Sequence, residues 1–314
     1  MRGTGRRGRY AKFKHIHIDC DPLVYQIGFR CEDAKYLADG TEFKTMKDAL
    51  QYCGGMDLDP EGITKEITPW EWGGVLGEVE KTLRKYQNLF TPGKTHLYLS
   101  PSMYFRYDLA DDYKGNRVGG FKPYHYKSLR DFFIRKGAKL IDNMEADDIL
   151  AVNHFHYFKK GGFTRTSRIS LIVGEDKDFN NIPGWHYNPA KDKLFYVGSH
   201  AAIAHFYQQM IAGDTADNIK GIPGKGKVAA EKLIDPNNCS ERVYWDIVRE
   251  GYIEYAVKEG LDIEGVLDQM LLNAHLLWIL WEKDGWFIPP LEEDKCRNLK
   301  WLERIQKSME SNAS

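Results

Sequence analysis

A chain of 314 residues, 42% hydrophobic and 28% charged, is long enough and apolar enough to bury one or more full cores, which excludes wholesale disorder, a collagen-like repeat and a coiled-coil rod. No run approaches the roughly 20 apolar residues of a membrane span, and residues 270–281, the longest candidate, are broken by Asn273 and His275 and read as a buried helix. The 44 Lys and Arg balance 45 Asp and Glu to a net charge of −1, which argues against a nucleic-acid partner only if the charge is evenly spread.

Residues 1–14 form a basic tail with Arg2, Arg6, Arg7, Arg9, Lys12 and Lys14 but no apolar segment behind it, so a secretory leader is not expected. Residues 15–19 (HIHID), 95–99 (THLYL) and 169–173 (ISLIV) read as strands, and residues 75–90 and 126–135 carry apolar side chains at helical spacing. Strands alternating with such helices predict an α/β core over residues 15–200 with a mostly parallel sheet, its functional residues at the strands' carboxyl ends. Residues 31–70 show weak periodicity and read as an irregular insertion. From residue 201 to 314 the pattern is helical, with Pro289-Pro290 ahead of a last short helix. The five cysteines, Cys20, Cys31, Cys53, Cys239 and Cys296, form no CxxC pair, and a reducing cytoplasm is the expected setting.

The acids are bunched. Asp19 and Asp21 (IDCD) and Asp176 and Asp178 (GEDKDF) lie at or beyond predicted strand ends; Glu145, Asp147 and Asp148 (EADD) open a helix, and Asp214 and Asp217 (GDTADN) form a fourth cluster. Any one such pair is more often a solvated cap favoured by the helix dipole. Four together repel one another and call for hard cations, Mg²⁺ or Mn²⁺, in a site able to clamp a phosphodiester between two metals. Residues 112–117 (DYKGNR), followed by Lys122, Lys127, Arg130 and Arg135 with Phe121, Tyr124 and Tyr126 between them, suit a phosphate backbone and stacked bases, although a solvated basic helix face gives the same pattern. Residues 221–227 (GIPGKGK) resemble part of a phosphate-binding loop, but Val228 stands where Ser or Thr would hold Mg²⁺ and no strand is predicted ahead of it. No nucleotide cofactor is therefore expected; exposed backbone N–H groups with Lys225 and Lys227 grip a DNA phosphate instead. His154 and His156, at i and i+2, fall on different helix faces and are not a metal pair.

The order IDCD, YKGNR, EADD, GEDKDF and GDTADN-GIPGKGK, over about residues 19–233, resembles the flap endonuclease and 5′-nuclease superfamily, and most resembles the stand-alone 5′ to 3′ exonucleases of short-tailed bacteriophages. The resemblance implies a PIN-like nuclease core, an arch at about residues 108–136, and a helix-two-turn-helix element at 213–233 that binds duplex DNA. It places metal ligands at Asp19, Glu145, Asp147, Asp148, Asp176, Asp178, Asp214 and Asp217, and catalytic cations at Lys114 and Arg117. DNA contacts then fall at Tyr113, Lys122, Lys127, Arg130, Gly221, Gly224, Lys225, Gly226 and Lys227, with K⁺ a further ion at the hairpin. Two positions depart from the pattern: Ser100 stands near the usual aspartate after the second strand, and Val228-Ala229 replaces a lysine-threonine.

Setting the eight ligands aside leaves 37 acids against 44 bases, a surface suited to DNA. The expected activity is metal-dependent hydrolysis at DNA 5′ ends, in phage replication or host DNA degradation. A 5′-flap endonuclease of the same family, a PIN-type ribonuclease and a non-catalytic DNA-binding accessory are the alternatives; membrane partners are not expected.

Overall fold

The structure is a computed structural model and describes residues 12–117, 121–237 and 240–311. Most of the basic tail, and Cys239, lie outside the described residues. In chain order the first elements are β1 (His15–Asp19), α1 (Asp21–Arg30), β2 (Glu32–Ala38), β3 (Thr41–Phe43), α2 (Met46–Met56), β4 (Thr64–Pro69), α3 (Trp72–Phe90), β5 (Lys94–Tyr98), α4 (Phe105–Leu109) and α5 (Tyr126–Arg135). They are followed by α6 (Ala146–Lys160), β6 (Ser170–Val173), β7 (Gly184–Asn188), β8 (Lys193–Val197), α7 (Ser199–Ala212), β9 (Gly213–Asp214), β10 (Ile219–Lys220), α8 (Lys227–Leu233), α9 (Glu241–Glu259), α10 (Ile263–Leu277) and α11 (Glu292–Ser311). The chain divides into two compact units.

The larger unit holds residues 12–19, 92–117 and the described chain from 137 onward. Its five-stranded sheet has the order β5-β1-β6-β7-β8, parallel from β5 to β7 with an antiparallel edge at β8. The mostly parallel α/β expectation is borne out, and the three expected strands are β1, β5 and β6 to within a residue. β1 and β6 are buried along nearly their whole length, as strands covered on both faces must be. α6 packs against β1, β5 and β6, and its Ile149, Leu150 and Ala151 join Tyr98, Ile172 and Phe179 in one core. A second core gathers α4, α7, α9, α10 and α11 around Phe206, Tyr207, Trp245, Met270 and Phe287; each such side chain is worth about 1.5–3 kcal/mol of burial. The Trp245 indole donates to the fully buried Asp294 at 2.8 Å, which ties α11 to α9.

Two helical expectations change in this unit. The helix expected over residues 270–281 stops at Leu277, because Trp278 turns extended and gives its carbonyl to Arg106 at 2.6 Å. The expected short last helix is α11, 20 residues long. Its polar contacts are spread along its length: Asn298 bonds His275 and the Phe287 carbonyl, and Ser308 bonds Asp108 and Asn143.

The smaller unit holds Cys20–Thr91 and Phe121–Lys136. Its antiparallel sheet, β3-β2-β4, corrects the expectation that residues 31–70 are irregular. β4 reads TKEITP and alternates only between exposed and half-buried, so it lacks the strong apolar signal on which strand recognition depends. α1, α3 and α5 bury Leu23, Val24 and Ile27, Val75 and Val79, and Leu129 and Phe133. Gly28 permits this packing: a Cβ there would lie 2.4 Å from Pro123 Cγ. Glu32 accepts from Lys65 Nζ at 2.8 Å and from the Tyr124 N–H at 2.7 Å, which fastens the chain ahead of α5 to the sheet.

Candidate metal centre

The site lies in the larger unit, where the topology brings several chain ends together. β1 ends at Asp19; beyond β6 the chain reaches Asp176 and a 3-10 turn opening at Asp178; α6 begins directly after Glu145; β9 ends at Asp214, with Asp217 in the turn before β10. Oxygens of Asp178, Asp214 and Asp217 lie within 4.8 Å of one another. A cavity of about 20 Å³ is lined by these three with Glu145, Asp147, Arg106 and Tyr113, room for one ion or one water.

The carboxylates are crowded. Burial, with Asp176 and Asp214 nearby, pushes the Asp178 carboxyl up to about 8, and burial with Glu145, Asp19 and Asp176 raises Asp147 well above the usual carboxylate range. Like charges held this close are stable as anions only with a cation among them. Every candidate donor is a hard carboxylate oxygen, so the residues fit a hard divalent ion. Orientation comes from the local turn and from α7: the Asp178 N–H donates to Asp176 Oδ1 at 2.9 Å, and Gln209 Nε2 donates to Asp178 Oδ1 at 2.6 Å.

Asp148, expected among the ligands, is instead engaged by Arg106. Its oxygens accept from Nη1 at 2.6 Å and Nη2 at 3.0 Å, Oδ1 also accepts from the Leu280 N–H at 3.1 Å, and the residue is fully buried. Successive helical residues point about 100° apart, and here Asp147 lines the cavity while Asp148 turns to Arg106. Arg106 also donates to the Leu276 and Trp278 carbonyls and lies 3.4 Å from Glu145. Its guanidinium therefore clamps the start of α6 to the end of α10. Nothing in the local sequence marks Arg106 for this role: Asp148 and Leu276 stand 42 and 170 positions away.

Lys114, expected to be catalytic, is buried at the same place. Its ammonium contacts Glu145, donates to the Tyr104 hydroxyl at 2.9 Å and lies 3.7 Å from Asp217. Its backbone is left-handed, with φ of 55°, and its N–H donates to the Asp217 carbonyl at 3.0 Å. Burial opposes the charge on both partners, but each outweighs it for the other: Glu145 and Asp217 raise the Lys114 ammonium, while Lys114 and Arg106 lower the Glu145 carboxyl. Tyr113 is only 3% exposed, so its ring does not offer the expected DNA contact; its hydroxyl donates to Asp217 at 3.2 Å. The Arg117 side chain lies outside the described residues. Ser100 binds the protein itself, its Oγ accepting from the Ala146 N–H at 3.0 Å at the start of α6.

At the hairpin, Gly213 (φ 72°) and Gly221 face each other so closely that a Cβ on either would stand 2.3 Å from a backbone nitrogen of the other. Gly221 thus serves internal packing, whereas Gly224 (φ 78°) and Gly226 have open space where a side chain would be. They line an open concavity with Lys227, Val228, Ala229 and Lys232. Lys225 and Lys227 lie 3.5 Å from Glu254 and 3.8 Å from Glu231. The two-residue β10 does precede this segment, contrary to expectation, yet Val228 still offers no hydroxyl. His154 is buried on Ser170 and the Pro183 carbonyl and His156 is exposed, as expected of structural rather than metal-binding groups.

The remaining expected contacts lie in the smaller unit. Lys122 and Lys127 are exposed, with Lys122 over the Tyr126 ring, while Arg130 bonds Asp21 at 2.8 Å. Tyr25, Phe29, Phe121 and Tyr124 are exposed aromatics of the same unit, and Lys65 lies over the Phe29 and Phe121 rings. Tyr25 and Phe29, on α1, were not anticipated from the sequence. Among the described residues, no helix is long and apolar enough to cross a membrane.

No family model matches the chain. Among solved structures, the T5 5′-exonuclease with bound zinc aligns at 15% identity and TM-score 0.46, over 97% of this chain and 100% of the other. The catalytic core of Rad2 in complex with DNA aligns at 12% and 0.41, over 95% and 88%. In sequence, the chain is 32% identical over 146 residues to the exodeoxyribonuclease of Enterobacteria phage T3, 45% of this chain and 46% of that one. It is 25% identical over 183 residues to a 5′-3′ exonuclease of Mycoplasmopsis pulmonis, 50% of this chain and 55% of that one. The chain spans about half the length of these curated relatives, and they bear out the resemblance read from its motifs, to the 5′-nuclease superfamily near the phage exonucleases.

Proposed function

We propose that this chain is a divalent-metal-dependent 5′ nuclease that hydrolyses DNA phosphodiesters at or near 5′ ends. The observation that carries the reading is the convergence of Asp178, Asp214 and Asp217 on one small cavity that Glu145 and Asp147 also line. The names of the two sequence relatives, an exodeoxyribonuclease and a 5′-3′ exonuclease, point the same way. Asp19, Glu145, Asp147, Asp176, Asp178, Asp214 and Asp217 would hold Mg²⁺, with Mn²⁺ able to substitute. When bound, such ions supply a water activated for attack and neutralise charge on the phosphoryl group.

The chain's own residues do the rest. Lys114, fixed by Tyr104 and Glu145, places a permanent positive charge beside the carboxylates, where charge develops on the phosphoryl oxygens; Arg117, three residues on, is assigned the same task. Gly224, Lys225, Gly226 and Lys227 contact a duplex backbone, with K⁺ a further ion there, and Lys122, Lys127 and the aromatics of the smaller unit receive an unpaired strand. Cleavage at a 5′-flap junction is the second reading, because it uses the same centre.

The test presents duplex DNA labelled at the 5′ end or internally, and a 5′-flap substrate, with Mg²⁺ or EDTA, and resolves products by length. Short products released from the 5′ end only with Mg²⁺ establish the exonuclease. One cut near the flap junction establishes the endonuclease. Tight DNA binding without cleavage would overturn both in favour of a binding accessory.

A further inference from the structure

Among the described residues, three cationic side chains touch the acid cluster, and they are built differently. Arg106 and Lys114 are buried, each held by several partners. Lys177 projects from the turn between Asp176 and Asp178 and reaches across to β9, where its ammonium donates to Asp214 Oδ1 at 2.8 Å. Of its side chain 56% is exposed, while that of Asp214 is 1% exposed. Asp214 is one of the three carboxylates whose oxygens converge within 4.8 Å.

We propose that Lys177 is a displaceable counter-ion of the metal centre, its ammonium competing with a divalent cation for Asp214. This rests on the metal reading above. Two positive charges drawn to one buried carboxylate repel each other, and the ammonium is the one that can leave. A half-exposed lysine moving off Asp214 returns its charge to water and regains rotamer freedom, whereas Lys114 leaving Glu145 would remain a buried charge without its partner. A flexible stem with a compact, strongly hydrated head suits exchange between partners. The arrangement also couples the metal to the substrate: a phosphate that takes the ammonium away frees Asp214, so DNA and metal each raise the other's affinity. Lys177 is thus a positioning residue that sets how readily the centre loads.

The test is calorimetric titration of Mn²⁺ into the full chain for wild type, Lys177→Met, Lys177→Gln, Lys177→Arg and Asp178→Asn, with and without a short duplex in the absence of turnover. Removing one unit charge at a partly exposed position should tighten the Mn²⁺ event that Asp178→Asn abolishes, by about tenfold in both neutral variants. Lys177→Arg should stay at the wild-type value, and the tightening that DNA confers on wild type should shrink in the neutral variants. A variant that merely damaged the fold would bind more weakly, so the direction separates the two causes. Neutral variants that bind as wild type, or an arginine variant that tightens like them, would overturn the proposal while the loss in Asp178→Asn leaves the metal reading standing. If no form binds Mn²⁺, the metal reading falls and takes this inference with it.

Discussion

Asp147 and Asp148 are adjacent on α6 and stand in opposite electrostatic surroundings. On the Asp148 side, Arg106 and Lys114 supply buried positive charge, Glu145 is held below its ordinary carboxyl value, and both oxygens of Asp148 are bonded within the protein. On the Asp147 side, Asp178 is raised to about 8 and Asp147 well above its usual range, because burial and neighbouring acids act without an equal internal cation. One side of the cluster is finished by the fold; the other is finished by what it binds. Carboxylate count alone therefore does not identify ligands: both oxygens of Asp148 are taken up by Arg106 and a backbone N–H, whereas Glu145, though paired with Lys114, still lines the cavity with Asp147 and Asp178.

The comparison breaks most sharply at Asp178. Asp178→Asn should abolish Mg²⁺-dependent cleavage, a loss of at least about a hundredfold, while the melting temperature in EDTA holds near neutral pH, where the raised carboxyl is already largely neutral, and rises above about 8, where a repulsive charge is removed. Single-turnover assays and thermal melts check both halves. On the other side the signs reverse: Arg106→Met leaves the fully buried Asp148 without its cationic partner and should cost about 3–5 kcal/mol in urea unfolding. Unchanged stability there would erase the distinction between the two sides. Lys114→Ala should lower the single-turnover rate by about 10²–10³, with a smaller loss in DNA affinity; an unchanged rate would leave Lys114 as a structural cation only.

Acid should weaken the larger unit through groups outside the carboxylate cluster. Burial lowers His154 to about 3 and His186 and His275 to about 4, so they are neutral in the fold. The unfolded chain binds protons as pH falls through about 6.5 while the fold does not, so stability is full above that value and declines toward pH 4. The slope approaches about 1.4 kcal/mol per pH unit for each histidine, measurable as urea midpoints at pH 7.5 and 5.5. The smallest effect is expected at Ser100. Ser100→Ala removes the hydroxyl that accepts the first N–H of α6 and should cost about 1 kcal/mol, with the cleavage rate at saturating Mg²⁺ unchanged. A large rate loss would mean that Ser100 serves the metal side after all.

Much of this was legible before the structure. The runs at 15–19, 95–99 and 169–173 are short, apolar and bounded by turns, and the parallel sheet they form follows from the helices between them. The acids converge because each cluster sits at a strand end or helix start. The sheet of residues 32–69 was not legible, because its strands are half-exposed and carry Lys, Glu and Thr where a core strand carries Val or Ile. Tyr113 misled for a related reason: an aromatic among basic residues signals base stacking only when it is exposed, and exposure is set by what packs over it.

The amino-acid sequence by itself determined the strands at β1, β5 and β6, the helical periodicity of α3 and α5, the hard-oxygen chemistry of the acid clusters and the glycines that the hairpin requires, since these depend on residue type and near neighbours. Tertiary structure alone decided that Asp148 belongs to Arg106, that Gly221 packs on Gly213, and that Lys177 bonds Asp214. Ion pairs and close backbone approaches form between segments distant along the chain. Which carboxylate meets which cation is fixed only when helices and strands are packed and water is excluded between them.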